Sequence, residues 1–356
     1  FLVEAVSRPL TRPRGRFRLS RGRIGNRTLP DHTHPDHALS DPGHDQGPDQ
    51  APENSDQARE NVGSAETRCG YVVILGAPNV GKSTLANALS GVHVAAVSPR
   101  PQTTRRRVTA VVHDTDWQAI LLDMPGFQKP ADGLTKRMQT AVDQAVADCD
   151  AALFVVNAAE AVGGGDRFIA ERLRAAGLPV IVVVNQVDRV APDAIMQTIG
   201  AVAPLVDFVA LHPVSAVTED GLAALRIDLG ALLPEGPAYF PPGVATDQTD
   251  EELAGEIIRE AALQRVRDEV PHAVAVQVES IEPAEHGRIV RAAILVETTS
   301  QKGILVGHGG QMIRAIGEAS RGTLGRMWAE AVHTDLTVKV RPKWRRDETM
   351  LDRLGL

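Results

Sequence analysis

From Tyr71 onward, short runs of β-branched and aliphatic residues alternate with longer stretches of helical period. The runs are YVVIL, QAILLDMP, AALFVVNA, PVIVVVNQ and FVALHPVSA. Their apolar residues are contiguous rather than alternating, which is how strands covered on both faces read. Helices are expected between them, at 82–91, 134–148, 166–177 and 219–232. Strand–helix alternation of this kind predicts a parallel α/β sheet with ligands at the C-terminal strand ends.

The rhythm stops at PEGPAYFPPGVATDQT (234–249), whose Pro234, Pro237, Pro241 and Pro242 read as an interdomain connection. Thr249 and Glu252 then have capping-box spacing ahead of an amphipathic run, EELAGEIIREAALQRVRDEV. Two strand-like runs follow, HAVAVQVESIE and GRIVRAAILVET. After them come a short helical piece, the loop VGHGGQ, a helix from Met312 to about Ala331, and an alternating strand, DLTVKVRPKW. The chain is therefore divided into an extension (1–66), an α/β domain (67–236), a linker (237–250) and a smaller α+β domain (251–356). No internal repeat is visible.

Composition changes this picture mainly at the ends. Of 356 residues, 43% are hydrophobic and the formal net charge is -7, which does not by itself suggest a nucleic-acid binder. Residues 1–27 are Arg-rich with Glu4 the only acid, loosely like an organellar transit peptide. Residues 28–66 turn to His, Asp, Pro and Gln and hold too little apolar surface to offset the entropy of ordering. Residues 1–66 are thus expected to be disordered, a non-functional extension or mis-set start. A targeting or RNA-tethering arm is the other reading. His32, His34, His37 and His44 read as a loose solvated cluster. Cys69 and Cys149 lack metal-ligand spacing. No apolar run reaches the roughly 18 residues that span a bilayer.

Chemistry enters at GAPNVGKST, which fits G-x-x-x-x-G-K-[ST] at Gly76, Gly81, Lys82 and Ser83. Glycines let the backbone N–H groups of Gly76, Ala77, Pro78, Asn79, Val80, Gly81, Lys82, Ser83 and Thr84, proline excepted, wrap around phosphate oxygens. Lys82 can neutralise the β- and γ-phosphates, and the Ser83 hydroxyl can ligate Mg²⁺. Asp123, Met124, Pro125 and Gly126 end a buried strand. There Asp123 can hold Mg²⁺ through water, and the Gly126 N–H can reach the γ-phosphate. Asn185, Gln186, Val187 and Asp188 end another strand. The Asp188 carboxylate can accept from guanine N1–H and N2–H₂, a donor pair adenine lacks. Ser215 and Ala216 can offer a backbone N–H to guanine O6. Each signal is weak alone, but their order after a P-loop points to a guanine nucleotide.

On GAPNVGKST, SPRPQTTRRR (98–107), DMPGFQKP, YFP followed by TD (239–247), and VGHGGQMIRAIG, the chain resembles the Era family of GTPases over about residues 70–356. That resemblance implies an α/β P-loop GTPase domain followed by a smaller α+β type II KH domain. It implies GTP hydrolysis, with Lys82, Thr104 and Gly126 catalytic and Ser83, Thr104 and Asp123 on Mg²⁺. Thr103 is the fallback for Thr104. It further implies K⁺ near Asn79, although Asn79 reads equally as a turn residue. Arg105, Arg106 and Arg107 read as a solvated strand edge, with an in-cis arginine finger as the other reading.

The implied partners are GTP and GDP, the 3′ region of small-subunit ribosomal RNA, and the small ribosomal subunit. A cytoplasmic location with peripheral association at the inner face of the cell membrane is also implied. The RNA contacts fall on Gly307, His308, Gly309, Gly310, Arg314, Lys339 and Arg341. A lone G-x-x-G occurs in many turns. Here it lies in a locally basic end, where 300–346 holds only Glu318, Glu330 and Asp335 as acids.

Two positions depart from the family pattern. Gln186 replaces the lysine of N-K-x-D, so weaker nucleotide binding with guanine choice retained is expected. His308 stands where the Gly loop usually carries a basic residue, so weaker RNA contact is expected. Phe127, after DMPG, cannot orient water as a glutamine would. Gln186 keeps a second reading open: an RNA-binding scaffold whose nucleotide domain no longer turns over.

Overall fold

The computed structural model describes residues 67–98, 100, 103–126, 132–267 and 270–356. The expectations for 1–66 and for Phe127 lie outside the described residues. From residue 67 onward the described residues cluster as one compact unit.

The first half is a six-stranded sheet. Its strands are β1 (Arg68–Gly76), β2 (Val108–His113), β3 (Trp117–Asp123), β4 (Ala151–Asn157), β5 (Val180–Asn185) and β6 (Ala210–Pro213). They lie in the order β2-β3-β1-β4-β5-β6. All neighbours are parallel except β2, which pairs antiparallel with β3. The expectation of a wholly parallel sheet is thus corrected at one edge. A short turn between β2 and β3 returns the chain directly, and only an antiparallel pair can be joined that way.

Helices α1 (Lys82–Ser90), α2 (Gly133–Asp148), α3 (Gly164–Ala176), α4 (Pro192–Val202) and α5 (Leu222–Leu232) cover the sheet. Every residue of β4 and β5 is buried. One apolar cluster forms on each face, around Leu85, Leu121 and Val183 and around Ile120, Phe154 and Val182. Gly76, Asp123, Asn157 and Asn185 all terminate strands, so the chemistry gathers at one end of the sheet.

The second half begins with α6 (Asp250–Leu263), closed at its N-terminus by the expected Thr249–Glu252 capping box. There follow α7 (Val270–Ala273), β7 (Ala275–Ala284), β8 (Gly287–Val296), α8 (Thr299–Val306), α9 (Gln311–Trp328), β9 (Val332–Val340) and α10 (Glu348–Arg353). The three strands lie in the order β7-β8-β9, β8 pairing antiparallel with β7 and parallel with β9. α6 and α9 cover one face, packing Ile257, Ile258, Ile316 and Leu324 against Val338 of β9.

The other face meets the first half. Leu134 and Met138 of α2 join Ala275, Ala293, Leu295, Trp344 and Leu351 in a shared buried cluster. Trp344 is 1% exposed, and its Nε1 donates to the Ala273 carbonyl at 2.9 Å. Burying a side chain of this kind contributes roughly 1.5–3 kcal/mol. The exposed Arg137–Asp352 pair at the rim adds little.

Candidate nucleotide site

The turn between β1 and α1 is shaped by contact. Asn79 (φ 65°) and Gly81 (φ 94°) are left-handed. A Cβ on Gly81 would lie 2.3 Å from Asn185 Nδ2, and one on Gly76 would lie 2.4 Å from the Val155 carbonyl oxygen. Only glycine fits either place. Two side chains at the end of β5 then brace the loop. Asn185 Nδ2 donates to the Val80 carbonyl and Gln186 Nε2 to the Asn79 carbonyl, both at 2.9 Å.

Lys82 lies at the start of α1, where unpaired N–H groups already favour anions. Its Nζ donates to the carbonyls of Gly76 (3.1 Å) and Ala77 (2.9 Å). Burial pushes its pKa down to about 8, with Asp123 pulling the other way. Asp123 is fully buried, and burial raises its carboxyl above the usual value against Lys82, Ser83 and Thr104.

Three hard oxygens meet beside this lysine. Ser83 Oγ donates to Asp123 Oδ2 at 2.6 Å and Thr104 Oγ1 donates to the same oxygen at 3.1 Å. The two hydroxyl oxygens are 2.9 Å apart. Asp123 Oδ1 is buried with no hydrogen-bond partner among the described residues. Hydroxyls and one carboxylate with an unused oxygen fit Mg²⁺, which takes few protein ligands and completes its shell with water and phosphate. Thr103 is directed elsewhere, its hydroxyl donating to the Arg100 carbonyl at 2.7 Å.

A cleft of about 380 Å³ opens over these groups, lined by Asn79, Lys82, Ser83, Thr104, Gly126 and Gln186 among others. That is within the range of small-molecule sites. Gly126 lies against Pro78, 3.2 Å from where its Cβ would be. Asp188 is exposed in a short turn, Val187–Arg189, directly after Gln186.

The Ser215–Ala216 pair follows β6 and is held by two backbone donations. The Ser215 N–H donates to the Asp220 carbonyl and the Ala216 N–H to Asn185 Oδ1, both at 3.0 Å. Here the Ser215 N–H closes its own loop on Asp220, and the Ala216 N–H ties that loop to Asn185. Arg189 also lines the cleft and donates to Gln186 Oε1 at 2.7 Å. Sequence reading passed over it, because an arginine in a turn carries no local signal.

The arginine run is a second correction. Arg107 is exposed, as expected, but Arg105 is 4% exposed and Arg106 half-buried. Arg105 donates to the carbonyls of Val274 (2.5 Å), Pro271 (3.0 Å) and His272 (3.1 Å) and lies 5.6 Å from the Trp344 ring. Arg106 donates to Glu252 Oε1 at 2.8 Å. Neither guanidinium is a solvated edge group, because carbonyls and a carboxylate of the second half take their donors.

In the second half, Gly307, His308, Gly309 and Gly310 form the turn between α8 and α9, all three glycines with positive φ. His308 and Gly309 are exposed, as is Arg314 on the first turn of α9. Lys339 stands on a different face of its strand from the one that packs against α9. Burial alternates along β9, and the even positions pack against α9. Lys339 pairs in register with Leu295, on the face turned toward α2. It also forms an ion pair with Glu279 at 2.6 Å.

Residues 71–186 match the family model of a 50S ribosome-binding GTPase, and 269–345 that of a KH domain. The chain is 44% identical over 298 residues to GTPase Era of Mycobacterium tuberculosis H37Rv, covering 82% of this chain and 99% of the relative. It is 43% identical to GTPase Era of Mycobacterium avium over 296 residues, with the same coverage. A crystal structure of an Aquifex aeolicus Era variant bound to GDP and aluminium fluoride superposes with TM-score 0.77 at 34% identity. It covers 81% of this chain and 99% of that one. A structure of Era with MgGDPNP and nucleotides 1506–1542 of 16S ribosomal RNA gives 0.76 at 33% identity and the same coverage. The chain belongs to the Era family of GTPases.

Proposed function

We propose that this protein hydrolyses GTP in the cleft over Lys82. In this reading it binds the 3′ region of small-subunit ribosomal RNA through the Gly307–Gly310 turn and assists assembly of the small ribosomal subunit in the cytoplasm. The observation that carries the reading is the convergence of Lys82, Ser83, Thr104 and Asp123 at the end of one sheet. The solved Era complexes with MgGDPNP and with 16S ribosomal RNA support it by similarity. Residues 67–236 are assigned to the GTPase and 251–356 to the KH half, joined by 237–250.

Each residue has a part. Lys82, held by two P-loop carbonyls, supplies a positive charge without solvent screening. Ser83, Thr104 and Asp123 would hold Mg²⁺, which when bound neutralises charge on the phosphate oxygens. Gly126 contributes its N–H, and Asp188 accepts from the base. Asn79 is assigned to K⁺. Peripheral association with the membrane is part of the reading, and no described helix is long and apolar enough to cross a bilayer. The non-hydrolysing alternative rested on Gln186, and Gln186 retains a bridge to the P-loop.

Phosphate release from GTP with Mg²⁺, in K⁺ and then Na⁺, tests the reading. Slow turnover, faster in K⁺, is expected. No release would leave the scaffold reading, and equal rates in both salts would remove K⁺ from Asn79. Calorimetry should show ATP binding at least about tenfold more weakly than GTP, since adenine leaves Asp188 unpaired.

A further inference from the structure

Thr104 reaches Ser83 and Asp123 only by its own hydroxyl. The backbone on both sides of it is held from the second half of the chain. On the N-terminal side, Arg259 of α6 donates from Nη2 to the Thr103 carbonyl. That carbonyl belongs to the peptide plane that carries the Thr104 nitrogen, so fixing it fixes where Thr104 begins. On the C-terminal side, Arg105 is bound to three carbonyls of residues 271–274.

Arg259 is itself prepared for this contact. It is 3% exposed, and Glu256, one turn earlier on α6, takes it in a two-pronged pair. Nε donates to Oε1 at 3.1 Å and Nη2 to Oε2 at 2.5 Å. Such a fork fixes direction as well as charge. A buried arginine would be costly without its carboxylate. Burial alone would raise the Glu256 carboxyl, but Arg259, with Arg106 and Arg105, more than offsets it and keeps it ionised.

We infer that Arg259, oriented by Glu256, is a positioning residue for GTP hydrolysis, supplied to the GTPase half by the first helix of the RNA-binding half. It acts through Thr104 and touches no phosphate. The inference rests on the reading of Thr104 as a Mg²⁺ and γ-phosphate ligand. GDP has no γ-phosphate, so the contact should matter for GTP and for turnover but little for GDP.

The test uses the full chain and two variants. Arg259→Lys keeps the charge and loses the fork. Arg259→Met combined with Glu256→Gln removes both buried charges, so that neither is left unpaired. Both should keep GDP affinity within about twofold, the γ-phosphate-dependent contact being the one lost. Turnover should fall about tenfold to a hundredfold, the scale set by small misplacements of reacting groups. Affinity for a non-hydrolysable GTP analogue should fall toward that for GDP, and Arg259→Lys should retain more than the double variant. Unchanged turnover overturns the inference. So does an equal loss of GDP and GTP-analogue affinity, which would mark Arg259 as merely structural. If the double variant fails to fold, Arg259→Lys alone decides by the same split. Absence of GDP binding or turnover in the wild type would instead sink the reading of the cleft.

Discussion

The Gln186 side-chain amide donates to the Asn79 carbonyl at 2.9 Å, joining the end of β5 to the phosphate loop. A glutamine here does the bracing that the family's lysine was expected to do, and Arg189 holds its other end at 2.7 Å. The expected weakening of nucleotide binding is therefore smaller than the loss of a lysine suggests. Gln186→Ala should weaken GDP binding about twofold to tenfold, the worth of one hydrogen bond. Gln186→Lys should change it less than that. Calorimetry with GDP decides, and a Gln186→Ala protein with wild-type affinity would remove the bridge from consideration.

Lys82 gives nucleotide binding a pH dependence. Its pKa in the free protein is lowered to about 8 by burial. Phosphate oxygens favour the charged form, so binding must raise that pKa and take up a proton where the free lysine is neutral. Affinity for GDP should hold below pH 8 and fall as pH rises above it. At pH 8.5 binding should take up a measurable fraction of a proton, because part of the free lysine is neutral there. Calorimetry in two buffers of different ionisation enthalpy measures this. Proton release, or no exchange, would contradict a lowered Lys82.

How far the chain could be read follows the range of each signal. The buried parallel strands are visible because contiguous Val, Ile and Leu leave no other way to cover both faces. GAPNVGKST and the Thr249–Glu252 box are visible because their partners lie within a few residues. β2 was missed: it begins directly after three arginines and pairs at the sheet edge. α4 was missed because it is half-exposed, with only Thr198 and Val202 buried. The fate of Arg105 was illegible for another reason. Its acceptors lie at 271–274, more than 160 residues on, and no local pattern distinguishes it from exposed Arg107. Lys339 is similar. Period two says that it alternates with Val338, not which of two faces carries the Gly turn.

The seam between the halves rests on Trp344. Its ring fills the cluster formed by Leu134, Met138 and Leu295, and its Nε1 is satisfied by Ala273. Trp344→Ala should cost about 3–5 kcal/mol in denaturant unfolding, as large-to-small changes in cores do. Trp344→Phe keeps most of the apolar area and loses one hydrogen bond, so about 1 kcal/mol is expected. Similar midpoints for the two variants would mean that the ring is not what holds the seam.

The Gly turn can be tested without disturbing the fold, because its glycines are not equivalent. A Cβ on Gly307 would meet the Met312 backbone nitrogen at 2.8 Å, whereas one on Gly309 or Gly310 meets nothing within 4 Å. Gly309 (φ 55°) and Gly310 (φ 79°) are left-handed, a conformation that aspartate tolerates better than most residues. Gly309→Asp with Gly310→Asp should therefore melt within a few degrees of wild type and keep its GDP affinity. It places two negative charges where a nucleic-acid backbone would pass. Binding of a single-stranded oligonucleotide matching the 3′ end of small-subunit ribosomal RNA should fall by at least about tenfold. His308→Lys should tighten binding and steepen the salt dependence by about 0.7 in log–log slope, the increment for one more phosphate neutralised on a single strand. Lys339→Ala should change affinity less than about twofold, since its face is turned from the loop and its charge is engaged by Glu279. A large loss from Lys339→Ala, with little from the glycine pair, would move the RNA-binding surface to the other face of the sheet.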